Sequence, residues 1–159
     1  MDSENIEMVY SWKYTDAWPY NWMVNDLWRG VQAEQNYLVA LGLFTYSEVL
    51  GRMILRTVGI SGDGPKAFRK FTEEYVGYKF ADDREWKNVF DIYRNGLAHE
   101  FFIKSMGGKV YNEDGTAPCG ITISGTFFEL RIHSYFIHFT KGLEKAIDEK
   151  VLELRPSPR

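Results

Sequence analysis

A single cysteine, Cys119, stands among 159 residues, so an internal disulfide is excluded. Histidine is nearly as scarce, with three copies. His133 and His138 lie five apart and far in sequence from Cys119, which yields no recognisable zinc ligand set, and both read as structural. Proline is rare and no segment is of low complexity or repeated. No apolar run approaches the roughly 18 residues that a membrane span requires. The opening Met1-Asp2-Ser3-Glu4-Asn5 is acidic where a secretory signal would be basic and then apolar. With no disulfide and no span, the expected setting is a reducing cytoplasm, with the chain held together by one buried core.

A basic excess is missing as well. The net charge of −3 argues against a protein coated for long nucleic acid. The charge is uneven, however. Residues 1–50 carry two basic and seven acidic side chains, residues 51–110 eleven and eight, and residues 111–159 six and seven. The middle third is therefore positive, either as a binding surface or as ordinary scatter on a solvated one.

Apolar periodicity predicts a mainly α-helical single domain over 1–159, a bundle of four to five helices with a small antiparallel β-hairpin or sheet before the last helix. An aromatic-rich arm covers 1–20. Asn21 is suited to cap a helix beginning near Trp22, and a longer pattern runs through Leu38, Leu41, Val49, Leu50, Met53 and Ile54 to a stop at Gly59. Ser61-Gly62-Asp63-Gly64-Pro65 reads as a loop, with Pro65 at the first position of a helix bearing Phe68, Phe71, Tyr75 and Val76. Gly77 ends it. Asp82 or Asp83 can cap the next helix, with Trp86, Val89, Phe90, Tyr93 and Leu97 on one stripe, so that the bundle spans 22–104. Over 107–132 the period becomes two, in Ile121 with Ile123 and in Phe128, Leu130 and Ile132. A final helix over 134–152 follows, and 155–159 reads as a disordered tail.

The chemistry concentrates in Tyr93-Arg94-Asn95-Gly96-Leu97-Ala98-His99-Glu100. Arginine offers a permanently cationic planar fork that fits phosphate oxygens, and histidine exchanges a proton near neutrality. On an unbroken α-helix Arg94 and His99, five apart, point roughly 140° from each other. They converge only if the helix bends or ends near Gly96. Asn95-Gly96 is equally a common helix terminator, and on that reading Arg94 serves the last carbonyls and His99 is buried.

This string, in residues 93–102 and at the end of a helix in an α-rich chain, resembles the motif of the higher eukaryotes and prokaryotes nucleotide-binding (HEPN) family. That motif is an arginine, a polar residue directly after it, a short spacer and a histidine. Arg94, Asn95 and His99 match these positions one by one. As a fold the resemblance spans 22–152; it departs from the family in the strand insertion over 107–132 and in having no fused nucleotidyltransferase domain. It implies a metal-independent endoribonuclease, without cofactor, that cuts RNA at a composite site in a homodimer. His99 is then the general acid/base, Arg94 the phosphate ligand and Asn95 the residue that orients one of them. Products would be a 2′,3′-cyclic phosphate and a 5′-hydroxyl. The alternative within the family is a catalytically silent module that binds a nucleotide or a protein, as in a toxin–antitoxin or defence system with an antitoxin or nucleotidyltransferase partner.

Three substrate-binding candidates accompany the motif. Glu48, Arg52 and Arg56 fall four apart along the longest helix and can extend a phosphate-binding wall, or Glu48 can hold His99; an ordinary exposed i, i+4 pair explains them as well. Tyr10, Trp12, Tyr14, Trp18, Tyr20 and Trp22 suit base stacking or, more commonly, core and dimer packing.

Overall fold

The computed structural model describes residues 12–96, 108–112, 117–125 and 127–156. Among these residues, five α-helices and a three-stranded sheet placed before the last helix share one core. The order is β1 (Ala17–Trp18), α1 (Tyr20–Gln32), α2 (Asn36–Leu55), α3 (Gly64–Phe71), α4 (Asp83–Val89), β2 (Gly108–Tyr111), β3 (Ile121–Ser124), β4 (Phe127–Arg131), α5 (Ile132–Asp148) and β5 (Arg155–Pro156). Two π-helical turns, Thr72–Val76 and Phe90–Asn95, extend α3 and α4.

Local rules account for most of these boundaries. Asp82 caps α4, its carboxylate accepting the N–H groups of Arg84 and Glu85 at 2.8 and 2.9 Å. Pro65 falls in the first turn of α3, where its missing N–H is harmless, and Gly77 closes the π turn after it in a left-handed conformation. Two starts differ from the sequence expectation. The first helix begins at Tyr20 behind Pro19, and Asn21 lies inside the first turn, accepting from Asn25 at 3.0 Å. The last helix begins at Ile132, because the residue that ends the two-residue alternation of β4 is also the first on the helix's buried face.

The hairpin of β3 and β4 is antiparallel, pairing Ile121 with Leu130 and Ser124 with Phe127. β2 adds to the other edge of β4 in parallel, Gly108 opposite Phe128 and Tyr111 opposite Arg131, which alternation alone does not reveal. β5 pairs antiparallel with β1, so residues 155–156 are part of a two-stranded ribbon and not of a frayed tail. α5 receives the arm through Glu144 and Asp148, four apart, where the Lys13 N–H donates to Glu144, the Lys13 ammonium pairs with Asp148 and the Tyr14 hydroxyl donates to Asp148.

α2 is the central helix, and, contrary to the expectation that no apolar stretch is long enough, it is by length and composition apolar enough to cross a membrane. Here Ala40, Leu43, Phe44 and Leu50 are fully buried against α3 and α5. Phe44 meets Phe68, Tyr135 and Phe128 edge-on, with ring centroids 5.5, 5.7 and 6.3 Å away, and Phe71 meets Phe139 at 5.6 Å. Burying such a side chain stabilises the fold by about 1.5–3 kcal/mol before entropy is counted. Of the N-terminal aromatics, Trp12 and Tyr20 join this core, Tyr14 packs on it, and Trp22 is 69% exposed; Tyr10 lies outside the described residues.

Candidate functional site

Arg94 is delivered by the end of the fourth helix, but not by the bend expected at Gly96. The irregularity falls one turn earlier. From Phe90 to Asn95 the backbone widens to a π turn, whose hydrogen bonds reach one residue further than those of an α-helix and so rotate every later side chain. Within this turn the Arg94 guanidinium lies over the Phe90 ring, 5.8 Å from its centroid, and the Asn95 amide donates to Asp91 at 3.1 Å. Gly96 itself is buried.

The partner of Arg94 is Glu48, in the middle of α2. The Arg94 Nε–H donates to Glu48 Oε2 at 2.7 Å, and the Arg52 Nε–H, one helical turn along α2, donates to Oε1 at 3.0 Å. Glu48 thus shares one carboxylate between two arginines. Its side chain is only 7% exposed, against 24% for Arg94. A carboxylate this buried requires such partners, because leaving water uncompensated is costly. Arg52 is anchored at its far end by Nη1 donating to the Ile60 carbonyl at 2.7 Å, and Arg94 Nη1 donates to Asn95 Oδ1 at 3.3 Å.

Gly64 completes the arrangement. A Cβ at this position would lie 2.6 Å from Glu48 Oε1 and 3.0 Å from Arg52 Nη2, so the N-terminus of α3 approaches the cluster only because the residue has no side chain. Neither Gly64 nor Asp91 was singled out from sequence. The Asp-Gly-Pro string announced a helix start, and its contact with a carboxylate sixteen positions earlier left no local signal.

The structure therefore brings together four of the residues proposed from sequence: Glu48, Arg52, Arg94 and Asn95. Arg56 does not join them. α2 ends at Leu55, Arg56 takes a left-handed conformation, and its side chain is exposed, so the regular four-residue stripe stops before reaching it. Glu48 and Arg52 bond to each other, and Glu48 also to Arg94. Both Nε–H groups point into the protein, towards the carboxylate, which makes Glu48 a clamp on Arg94 and turns the expected solvated i, i+4 pair into a half-buried one. His99 lies outside the described residues. Among the described residues no three His, Cys, Asp or Glu side chains gather closely enough to hold a metal ion.

Chemically the cluster is an arginine fixed through Nε to a carboxylate and steadied through Nη1 by Asn95, with the N–H groups of its fork that remain as the portion able to take phosphate oxygens. Comparison with protein-family models, curated proteins and solved structures finds no match to this chain.

Proposed function

We propose that this protein is a metal-independent endoribonuclease of the HEPN type, acting as a homodimer. The observation that carries the reading is the clamp. Arg94, the arginine of the motif, is held by a buried carboxylate through Nε at 2.7 Å while its side chain keeps 24% exposure, the arrangement a preorganised phosphate ligand needs. In this reaction His99 takes the proton of the RNA 2′-hydroxyl and the 2′-oxygen attacks phosphorus. The bond to the 5′-oxygen breaks, and that oxygen leaves with a proton from a histidine of the paired site. A 2′,3′-cyclic phosphate and a 5′-hydroxyl remain. Arg94 offsets the charge that grows on the phosphoryl oxygens, and Asn95, which touches both Arg94 and Asp91, keeps the guanidinium in place.

Two features support pairing of copies. From Asn36 to Ser47, α2 carries no charged residue, and Tyr37 and Leu38 on its outward side are 56% and 61% exposed. A neutral apolar stripe can meet its own copy about a two-fold axis without like-charge repulsion. The compartment proposed is the cytoplasm, and the partner class proposed is an antitoxin or a nucleotidyltransferase.

Digestion of single-stranded RNA in excess chelator, alongside a sizing measurement, tests the proposal. The expected result is a dimer that leaves cyclic phosphate ends and whose cleavage drops by about 100-fold or more in Arg94→Ala and His99→Ala. A folded dimer that binds RNA or nucleotide without cutting it would instead establish the silent binding module.

A further inference from the structure

We infer that Arg52 is a positioning residue that keeps Arg94 from being consumed by its own clamp. This rests on the reading of Arg94 as the phosphate ligand. An isolated arginine and carboxylate prefer a double, fork-to-fork contact that occupies both carboxylate oxygens and two nitrogens of the guanidinium. Arg94 does not make that contact with Glu48, whose Oε1 accepts from Arg52 Nε at 3.0 Å on the side a second Arg94 nitrogen would have to approach. Arg94 is left with Oε2 alone, met through Nε at 2.7 Å. Its terminal nitrogens stay out of the carboxylate's grip.

Charge follows the same division. Two guanidinium groups share one buried carboxylate, so the three side chains together keep one positive charge where Glu48 and Arg94 alone would cancel. Asp91, bonded to Asn95 beside the cluster, is exposed to screening solvent. Arg52 is itself kept in place at its other end by the Ile60 carbonyl at 2.7 Å, and the missing side chain at Gly64 leaves room for it. Arg52 is thus an organiser inside the protein and does not need to touch RNA.

The test is binding of a short single-stranded RNA, followed by fluorescence anisotropy, to the wild-type protein and to Arg94→Ala, Arg52→Met, Arg52→Gln and the double variant Arg52→Met/Glu48→Gln, each checked for folding by thermal unfolding. Removing Arg52 frees Oε1, Arg94 closes onto both oxygens, and affinity falls by about tenfold. In the double variant the amide still accepts from Arg94 Nε but carries no charge, so affinity returns to within about threefold of wild type. A merely structural Arg52 would make the double variant worse than Arg52→Met. Should Arg52→Met not fold, Arg52→Gln, which fills the space with a neutral donor, is expected to lose about threefold. Wild-type binding that depends on Arg94 but is unchanged in the Arg52 variants, or a double variant no better than Arg52→Met, overturns this inference alone. Binding indifferent to Arg94→Ala overturns it together with the phosphate-ligand reading.

Discussion

Two π turns among the described residues begin alike and end differently. Each continues a short helix, Thr72–Val76 after α3 and Phe90–Asn95 after α4, and each adds one residue to a turn. The first is sealed by packing. The Tyr75 carbonyl lies against Gly142 of α5, and the Val76 carbonyl accepts from the buried thiol of Cys119 at 3.3 Å. The second is held by charge, through Arg94 and the Glu48 carboxylate of α2, with Asn95 and Asp91 bonded beside it. The same backbone irregularity thus serves a core in one place and presents a cation in the other. A π turn marks a position where side chains have been redirected; the neighbours decide what the redirection is for.

The sharpest way to break this contrast is Glu48→Ala. It strands two half-buried guanidinium groups and is expected to lower stability by about 3 kcal/mol, read as a drop in the urea midpoint. Gly142→Ala probes the other turn. Its new methyl would lie 2.5 Å from the Tyr75 carbonyl oxygen, a backbone atom that cannot swing aside, for a loss of about 2 kcal/mol with RNA affinity unchanged.

Tyr135 of α5 is fully buried, and its hydroxyl meets Ser47 at 3.1 Å. Tyr135→Phe costs about 1 kcal/mol at neutral pH, since Ser47 keeps its bond to the Leu43 carbonyl. Burial pushes the Tyr135 hydroxyl up to about 12 from its ordinary 10.0. Below pH 10 the folded and unfolded chains both keep the proton. Between about 10 and 12 the unfolded chain releases it first, so this contribution to stability falls as pH rises through that window. Urea midpoints at pH 9 and pH 11 should therefore differ less in Tyr135→Phe than in wild type. Tyr78, likewise raised to about 12 by burial, retains part of the slope.

The smallest effect belongs to Asp148→Asn. Lys13 and Asp148 are half exposed, at 50% and 49%, and water competes for both, so the melting temperature should stay within error of wild type. A large loss there would show that the arm depends on this pair and would weaken the distinction between buried and exposed charge drawn from Glu48.

How far the sequence carried each element follows from the range of the interaction behind it. The Asp82 cap, Pro65 in a first turn and the stop at Gly77 each involve a few neighbouring residues, and all three were readable. The β3–β4 hairpin was readable from alternation, whereas the parallel addition of β2 was not, because its partner lies beyond another strand. At the candidate site Arg94 and Asn95 stood out as a pair in sequence, and Arg56 looked like part of a stripe until a left-handed residue ended the helix.

By itself, then, the sequence determined a helical chain with a small sheet before its last helix, and it placed a guanidinium and an amide at the end of the fourth helix. Only the tertiary structure decided what that guanidinium does. Glu48 and Arg94 are 46 positions apart, and nothing local distinguishes a carboxylate facing water from one folded against a second helix. That difference arises when α2 and the turn after α4 share one core, removing solvent from the acid and leaving the two arginines to replace it.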